Sequence, residues 1–177
     1  MVYEPQEDSY LLLEHVKQLA YGKVIDIGAG SGMLAEEAAK NPRVESVYAV
    51  DIDEEAVNQL RKKKISKIKV LKSDLFAGVN EKFDIIIFNP PYLPSDENDK
   101  DVALDGGRKG HELIEEFLKQ AKKHLAKSGF ILMVFSNRTS KDKVDNIINK
   151  EGYMYELLEK KNLAFFEELY VYKIMRT

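Results

Sequence analysis

Val24-Ile25-Asp26-Ile27-Gly28-Ala29-Gly30-Ser31-Gly32 decides how this chain folds. A short apolar run breaks into three glycines and then into a helix-forming sequence. Glycine tolerates the left-handed backbone of a tight turn, and it lets a ligand lie against the main chain at the N-terminal end of the next helix. Nicotinamide-binding folds begin in a similar way, but a dinucleotide site wants its third glycine where this chain has Met33. Outward from the turn, short apolar runs alternate with amphipathic stretches, the pattern of a parallel sheet wrapped by helices. Strands are predicted at 23–27, 44–50, 68–71, 83–88 and 129–135. Two more, near 153–158 and 168–173, have no helix between them and read as an antiparallel pair at one sheet edge. Helices are predicted over 6–19, 32–40, 54–63, 112–126 and 141–150. Asp53 caps the third of these, with Glu54 and Glu55 in its first turn. Lys62, Lys63 and Lys64 at its end complement the helix dipole and read as a solvated face.

The 177 residues are enough for one domain, 1–177, with a sizeable core. There is no Cys, so neither a disulfide framework nor a thiolate metal site is available. No apolar run approaches the ~20 residues needed to span a bilayer, and Met1–Pro5 lacks the start of a signal peptide. These features predict a cytoplasmic protein that does not engage membranes. A net charge of -3 argues against a general polyanion binder. His15, His111 and His124 stand apart without metal-ligand spacing, so no metal is expected.

Three acids stand at the carboxyl ends of successive strands. Asp26, inside an apolar strand, is expensive to bury without a partner, and a cationic ligand amine above the glycine turn would be one. Asp51, ~20 residues past the turn, can accept both ribose hydroxyls of a nucleoside. Asp74 can accept from an adenine amino group while Leu75 and Phe76 offer apolar surface to the ring. Each acid taken alone also has a plain reading as a turn or capping residue. Together they match ammonium, ribose and adenine in order, which fits S-adenosylmethionine and would repel a pyrophosphate. Gly28 and Gly30 are the glycines expected to line that ligand.

The apolar run Ile85-Ile86-Ile87-Phe88 stops at Asn89-Pro90-Pro91-Tyr92. A strand ending there delivers a side-chain amide, a stiff carbonyl and an aromatic ring to one spot. An amide or ring-conjugated NH2 is a poor nucleophile because its lone pair is delocalised. Two acceptors, the Asn89 side-chain oxygen and the Pro90 carbonyl, can orient its hydrogens and leave the lone pair aimed at a methyl donor. Tyr92 packs on the flat face of the substrate, while Pro90 and Pro91 stiffen the turn so that little reorganisation is needed. Pro91 and Leu93 complete the predicted substrate contacts. The aperiodic stretch 93–110 is too long for an idle connection and reads as a substrate-facing loop.

This combination resembles the HemK-type class I S-adenosylmethionine-dependent methyltransferases, which methylate the glutamine of the Gly-Gly-Gln motif in peptide-chain release factors. Asp26–Gly32, Asp51, Asp74-Leu75 and Asn89–Tyr92 carry the likeness in order and spacing. Tyr3-Glu4-Pro5-Gln6-Glu7-Asp8-Ser9 looks like the opening of the eukaryotic and archaeal branch, and Leu104-Asp105-Gly106-Gly107 echoes the loop after the catalytic strand. The resemblance implies a Rossmann-like α/β fold, a mixed seven-stranded sheet with its last strand antiparallel and helices on both faces. It implies that Ser9 helps hold the methionine end of the donor. It also implies a release factor as protein substrate and a small zinc-binding activator beside the third strand. Ile65–Leu71 could offer that edge or could be ordinary core packing. Asn-Pro-Pro-Tyr is shared with adenine-N6 methyltransferases, so a nucleic-acid substrate is the main rival. Four acids against one Lys in 94–101 oppose phosphate binding and argue against direct nucleic-acid contact. A non-catalytic S-adenosylmethionine-binding scaffold is the rival of another class, and it would have no use for the Asn89–Tyr92 acceptors.

Overall fold

The computed structural model describes residues 5–91 and 110–177. Tyr92, Leu93, the stretch 94–101 and the opening Tyr3-Glu4 lie outside the described residues. Seven strands, β1 (Gly22–Ile27), β2 (Val44–Asp51), β3 (Ile68–Lys72), β4 (Phe83–Phe88), β5 (Leu125–Ser136), β6 (Tyr153–Asn162) and β7 (Glu168–Arg176), alternate with five helices. The helices are α1 (Glu7–Leu19), α2 (Met33–Lys40), α3 (Glu54–Lys62), α4 (Gly110–His124) and α5 (Lys141–Lys150). The strands form one sheet in the order β3-β2-β1-β4-β5-β7-β6. β1 to β5 run parallel to one another, and β7 is antiparallel to both β5 and β6. The predicted edge pair is therefore present, with β7 inside and β6 outside.

Strand periodicity sorts side chains onto two faces. Ile25, Ile27, Ile86 and Phe88 point to the side covered by α4 and α5, where they meet Ile114, Phe117, Ile147 and Ile148. Val24, Ile85 and Ile87 point to the other side, against Leu12 and Val16 of α1, Ala35 of α2 and Leu60 of α3. Ile85, Ile86 and Ile87 are all fully buried, which is why β4 reads as an unbroken apolar run rather than an alternating one. Asp26 and Asn89 have the parity of Val24 and Ile87, so both belong to the α1–α2 face.

Boundaries differ most from the sequence reading at the α4–β5 junction and at the end of β6. α4 ends at His124 and β5 begins at Leu125, because fully buried Leu125 pairs with Phe83 before a register irregularity leads to the Ile85–Phe130 pair. β6 runs on to Asn162 through Glu159-Lys160-Lys161, charges that suit an outer strand. Lys160 pairs with Glu168, and Lys161 reaches Glu7 at the start of α1. Asp53 caps α3 through the Glu55 amide, as predicted, and Lys63 binds Glu36 and the Ser31 carbonyl instead of pointing freely to solvent.

Gly32 holds the glycine turn against α3. Its φ is +85°, and a Cβ there would lie 2.1 Å from Leu60 Cδ2. Gly32→Ala should therefore cost about 2–4 kcal/mol from backbone strain plus overpacking. A lowered midpoint in denaturant unfolding would register it; an unchanged midpoint would show that Leu60 moves aside freely.

Candidate active site

The chain reverses its direction of travel across the sheet between β1 and β4, which are neighbours although β2 and β3 separate them in sequence. Ligands of open α/β sheets bind at the carboxyl ends of strands at such a switch point. Ile27 is in register with Phe88. The glycine turn after β1 and the Asn89-Pro90-Pro91 turn after β4 thus start side by side, about one strand spacing (~4.8 Å) apart.

The first turn is built from main-chain bonds. The amides of Gly28 and Ala29 donate to the Val50 carbonyl at 2.8 and 2.9 Å, and Gly32 N–H closes onto Ala29 O at 2.7 Å. Gly28 and Gly30 have φ of +72° and +52°. Among the described residues nothing lies within 4 Å of where a Gly28 Cβ would stand, so its backbone is open to a ligand.

Asp26 lies beneath this turn and is 1% exposed. Its Oδ2 is buried with no hydrogen-bond partner among the described residues. Burial pushes the carboxyl up to about 7; a backbone hydrogen bond at Ala35 opposes the rise, and the nearby Asp51 charge adds to it. Among the described residues no cationic side chain balances this carboxyl.

Asp51 is the hinge between the turn and the second strand's tip. Its Oδ2 accepts from Gly30 N–H at 2.7 Å, and its Oδ1 accepts from Asp53 N–H at 2.9 Å. Each carboxylate oxygen retains a further lone-pair direction, so the turn role and a ligand role coexist. Asp74 is exposed in the turn after β3, which is tied to β2 by Ser73 N–H to Asp51 O at 2.9 Å. Leu75 is half-buried and takes a φ of +48°, an uncommon conformation for a residue with a side chain. Phe76 corrects the sequence reading. It is 3% exposed and stacks on Phe117 and His124, so it belongs to the core and offers no surface to a ligand. Ile52, 64% exposed beside Asp51, is an apolar surface that sequence reasoning missed.

Asn89 is held from α1. Its Nδ2 donates to Asp8 Oδ2 at 3.2 Å and to Ser9 Oγ at 3.1 Å. Asp8 Oδ1 in turn accepts from Ser9 N–H at 2.7 Å. With both amide hydrogens engaged, the side-chain orientation is fixed, since a flipped amide would set its oxygen against the Asp8 carboxylate. Asn89 Oδ1 is left buried and, among the described residues, unpartnered. Pro90 is buried and Pro91 exposed. Asp8, 2% exposed, reads in the sequence most simply as a helix-opening acid, with proximity to the donor as the alternative; the fold makes it a partner of Asn89. Ser9 was expected near the donor, and its hydroxyl meets the Asn89 amide.

The site thus places two buried acceptors, one ionisable and one neutral and both unpartnered among the described residues, on the same face at adjacent strand ends. Residues 4–164 match the family model of the methyltransferase small domain. A candidate protein N5-glutamine methyltransferase of Methanocaldococcus jannaschii is 34% identical over 183 residues, covering 99% of this chain and 92% of that one. The human methyltransferase HEMK2 is 27% identical over 85% of this chain and 79% of its own length. The chain spans 30% and 60% of the length of two bacterial release factor glutamine methyltransferases it matches, from Streptococcus pneumoniae and Buchnera aphidicola. Among solved structures, the E. cuniculi Mtq2–Trm112 complex, described as responsible for methylating the translation termination factor eRF1, superposes with a TM-score of 0.79. That match has 24% identity and covers 99% of both chains. The fold is the Rossmann-like class I methyltransferase fold, and the chain belongs to the methyltransferase small-domain family.

Proposed function

We propose that residues 1–177 act as one S-adenosylmethionine-dependent methyltransferase domain that methylates the side-chain amide nitrogen of a protein glutamine, in the Gly-Gly-Gln motif of a translation release factor. The observation that carries this reading is Asn89 Oδ1, a buried acceptor without a partner among the described residues, aimed by Asp8 and Ser9. The relatives named for glutamine methylation support the same substrate class.

When bound, S-adenosylmethionine supplies an electrophilic methyl carbon on a positively charged sulfur. The residues present fit it. Asp26 Oδ2 is an anionic partner in waiting for the methionine ammonium, and Gly28 and Gly30 leave backbone exposed for close approach. Asp51 has lone pairs left for ribose hydroxyls, Asp74 can accept from the adenine amino group, and Leu75 with Ile52 gives apolar surface to the ring. Ser9 helps close the methionine end. Asn89 Oδ1 and the Pro90 carbonyl take the two hydrogens of the target amide. Pro91, exposed just past the clamp, borders the entrance; Tyr92 and Leu93, expected to flank the target amide, lie outside the described residues. Held in that way, the nitrogen keeps its lone pair free of the carbonyl it is conjugated to. The work of these residues is alignment and electrostatic preorganisation.

On this reading Asp8 is a positioning residue. Asp8→Ala frees one Asn89 N–H and lets the amide turn, so kcat should fall by roughly 10- to 100-fold with little change in donor affinity. Steady-state kinetics beside calorimetry would separate the two; an equal loss in donor affinity would place Asp8 at the donor instead.

The same reading brings a small zinc-binding activator to the outer edge of β3, an end strand of the sheet with unpaired backbone groups. Ile65, Ile68 and Val70 line a shallow groove there with Leu60. Ile68 and Val70 also pack on the core, so that edge serves both purposes. Among the described residues no helix is long and apolar enough to cross a membrane, and a substrate of the translation machinery would place the reaction in the cytoplasm. The test is incubation with labelled donor and an intact release factor, followed by mass spectrometry of its peptides. The expected product is one added methyl, about 14 Da, on the glutamine. Label appearing instead on adenine-containing oligonucleotides run in parallel would overturn the assignment.

A further inference from the structure

Phe165 and Phe166 are 93% and 97% exposed, the most exposed large hydrophobic side chains among the described residues. Both have left-handed backbone, with φ of +58° and +60°. Bulky side chains disfavour that region, which glycine and asparagine enter readily. Two adjacent aromatics that are both strained and solvated do nothing for stability, and a residue kept in such a conformation points to a use elsewhere.

The turn that carries them is firmly built. Leu163 N–H donates to Glu167 O at 2.8 Å, closing the tip of the β6–β7 hairpin. Asn137 Nδ2 donates to Phe166 O at 3.0 Å, while Asn137 Oδ1 accepts from Glu168 N–H at 3.1 Å. Glu167 accepts from Ser136 Oγ at 2.8 Å and pairs with Arg138 at 3.1 Å. The two rings therefore stand on a rigid base and would lose little backbone freedom on contact.

Topology fixes where that base lies. Leu169 pairs with Ser136, the last residue of β5, and Phe88 of β4 pairs with Met133 three residues before it. The hairpin tip is thus at the same end of the sheet as Asn89. It lies about two strand spacings to the side, ~10 Å, and ~10 Å further along the strand direction. That is too far to touch a glutamine held at Asn89, yet inside the footprint of a protein partner, which covers ~800 Å² on each side. Lys161, on the same hairpin, also pairs with Glu7, next to the Asp8-Ser9 clamp.

We infer that Phe165 and Phe166 form an apolar docking point for the body of the protein substrate, gripping a surface beside the loop that carries the target glutamine. This rests on the proposed glutamine reaction and adds to it a contact remote from the chemistry. It accounts for aromatics, the residue type enriched where protein interfaces bind most strongly, being displayed on a preorganised turn.

The test compares an intact release factor with a short peptide spanning its glutamine loop. Phe165→Asn combined with Phe166→Asn removes both rings and suits the left-handed backbone, so the melting temperature should be equal or higher. The expected result is a rise in KM for the intact factor of tenfold or more, with kcat within twofold and kcat/KM for the peptide unchanged. Phe165→Tyr combined with Phe166→Tyr should restore the KM. An unchanged KM for the intact factor overturns the inference, as does an equal loss on both substrates. A concentration-dependent dimer that the asparagine variant abolishes also overturns it, since the rings would then serve a second copy of the chain. Wild-type protein that methylates neither substrate would defeat the glutamine reading itself, an outcome visible before any variant is made.

Discussion

Asn89→Ala should lower methyl transfer by roughly 10²–10⁴-fold while S-adenosylmethionine binds within a few-fold of its wild-type affinity. The substitution removes the buried oxygen that has no partner among the described residues and leaves Asp8 and Ser9 facing the vacated space. Removing a preorganised acceptor aimed at the reacting group typically has effects of that size, because no solvent molecule recovers the geometry. Asn89→Asp separates the two halves of the argument. It keeps an acceptor oxygen but replaces the NH2 with a second oxygen set against the Asp8 carboxylate. Repulsion should turn the side chain away and leave this variant strongly impaired too. Single-turnover assays paired with calorimetry read both quantities. If Asn89→Asp turned over like wild type, the orientation supplied by Asp8 and Ser9 would be irrelevant to the reaction.

Asp26→Asn should have the opposite signature, losing donor affinity by roughly 30- to 1000-fold, as expected when a buried charge partner is removed. The same variant should be at least as stable as wild type in the absence of donor at pH 8. The reason is the raised carboxyl. An unfolded value of 3.8 against about 7 in the folded chain means that the protonated form stabilises the fold fully below pH ~4. This contribution is lost as pH rises through ~7, at a cost of up to ~4 kcal/mol. Donor-free wild-type protein should therefore lose stability between pH 4 and 7, and Asp26→Asn should flatten that slope. The pairing form is the ionised one. Donor affinity should accordingly rise with pH by as much as tenfold per unit below 7 and level off above it, with a proton released on binding. Calorimetry in buffers of different ionisation enthalpy would measure that proton. Donor affinity independent of pH and unaffected by Asp26→Asn would show that the ammonium lies elsewhere.

The parts of this architecture that depend on local pattern were legible in the sequence. The run Val24–Ile27 and its three glycines announced the strand, turn and helix, and the parity of Asp26 and Asn89 followed from strand periodicity once their strands were placed. The Asp53 cap and the edge pairing of the last two strands could be read in the same way. What escaped depends on distant partners. Asp8 looks like any acid opening a helix, and only the fold brings it to Asn89, 81 residues away. Phe76 sits one residue from Leu75 and two from Asp74, but the turn after β3 rotates it into the stack with Phe117. The charged end of β6 concealed a strand because an outer strand can leave such residues in water. Nor does the sequence betray the exposure of Phe165 and Phe166, since aromatic pairs near strand ends ordinarily face the core.

The most direct test of the acceptor clamp is a crystal structure of the protein with the demethylated donor product and a glutamine peptide bound together. The glutamine amide nitrogen should lie within ~3.2 Å of Asn89 Oδ1, hydrogen-bond distance, with Asp8 and Ser9 still holding Nδ2. An Asn89 oxygen satisfied by water or by another protein group, with the glutamine nitrogen more than ~4 Å away, would contradict it.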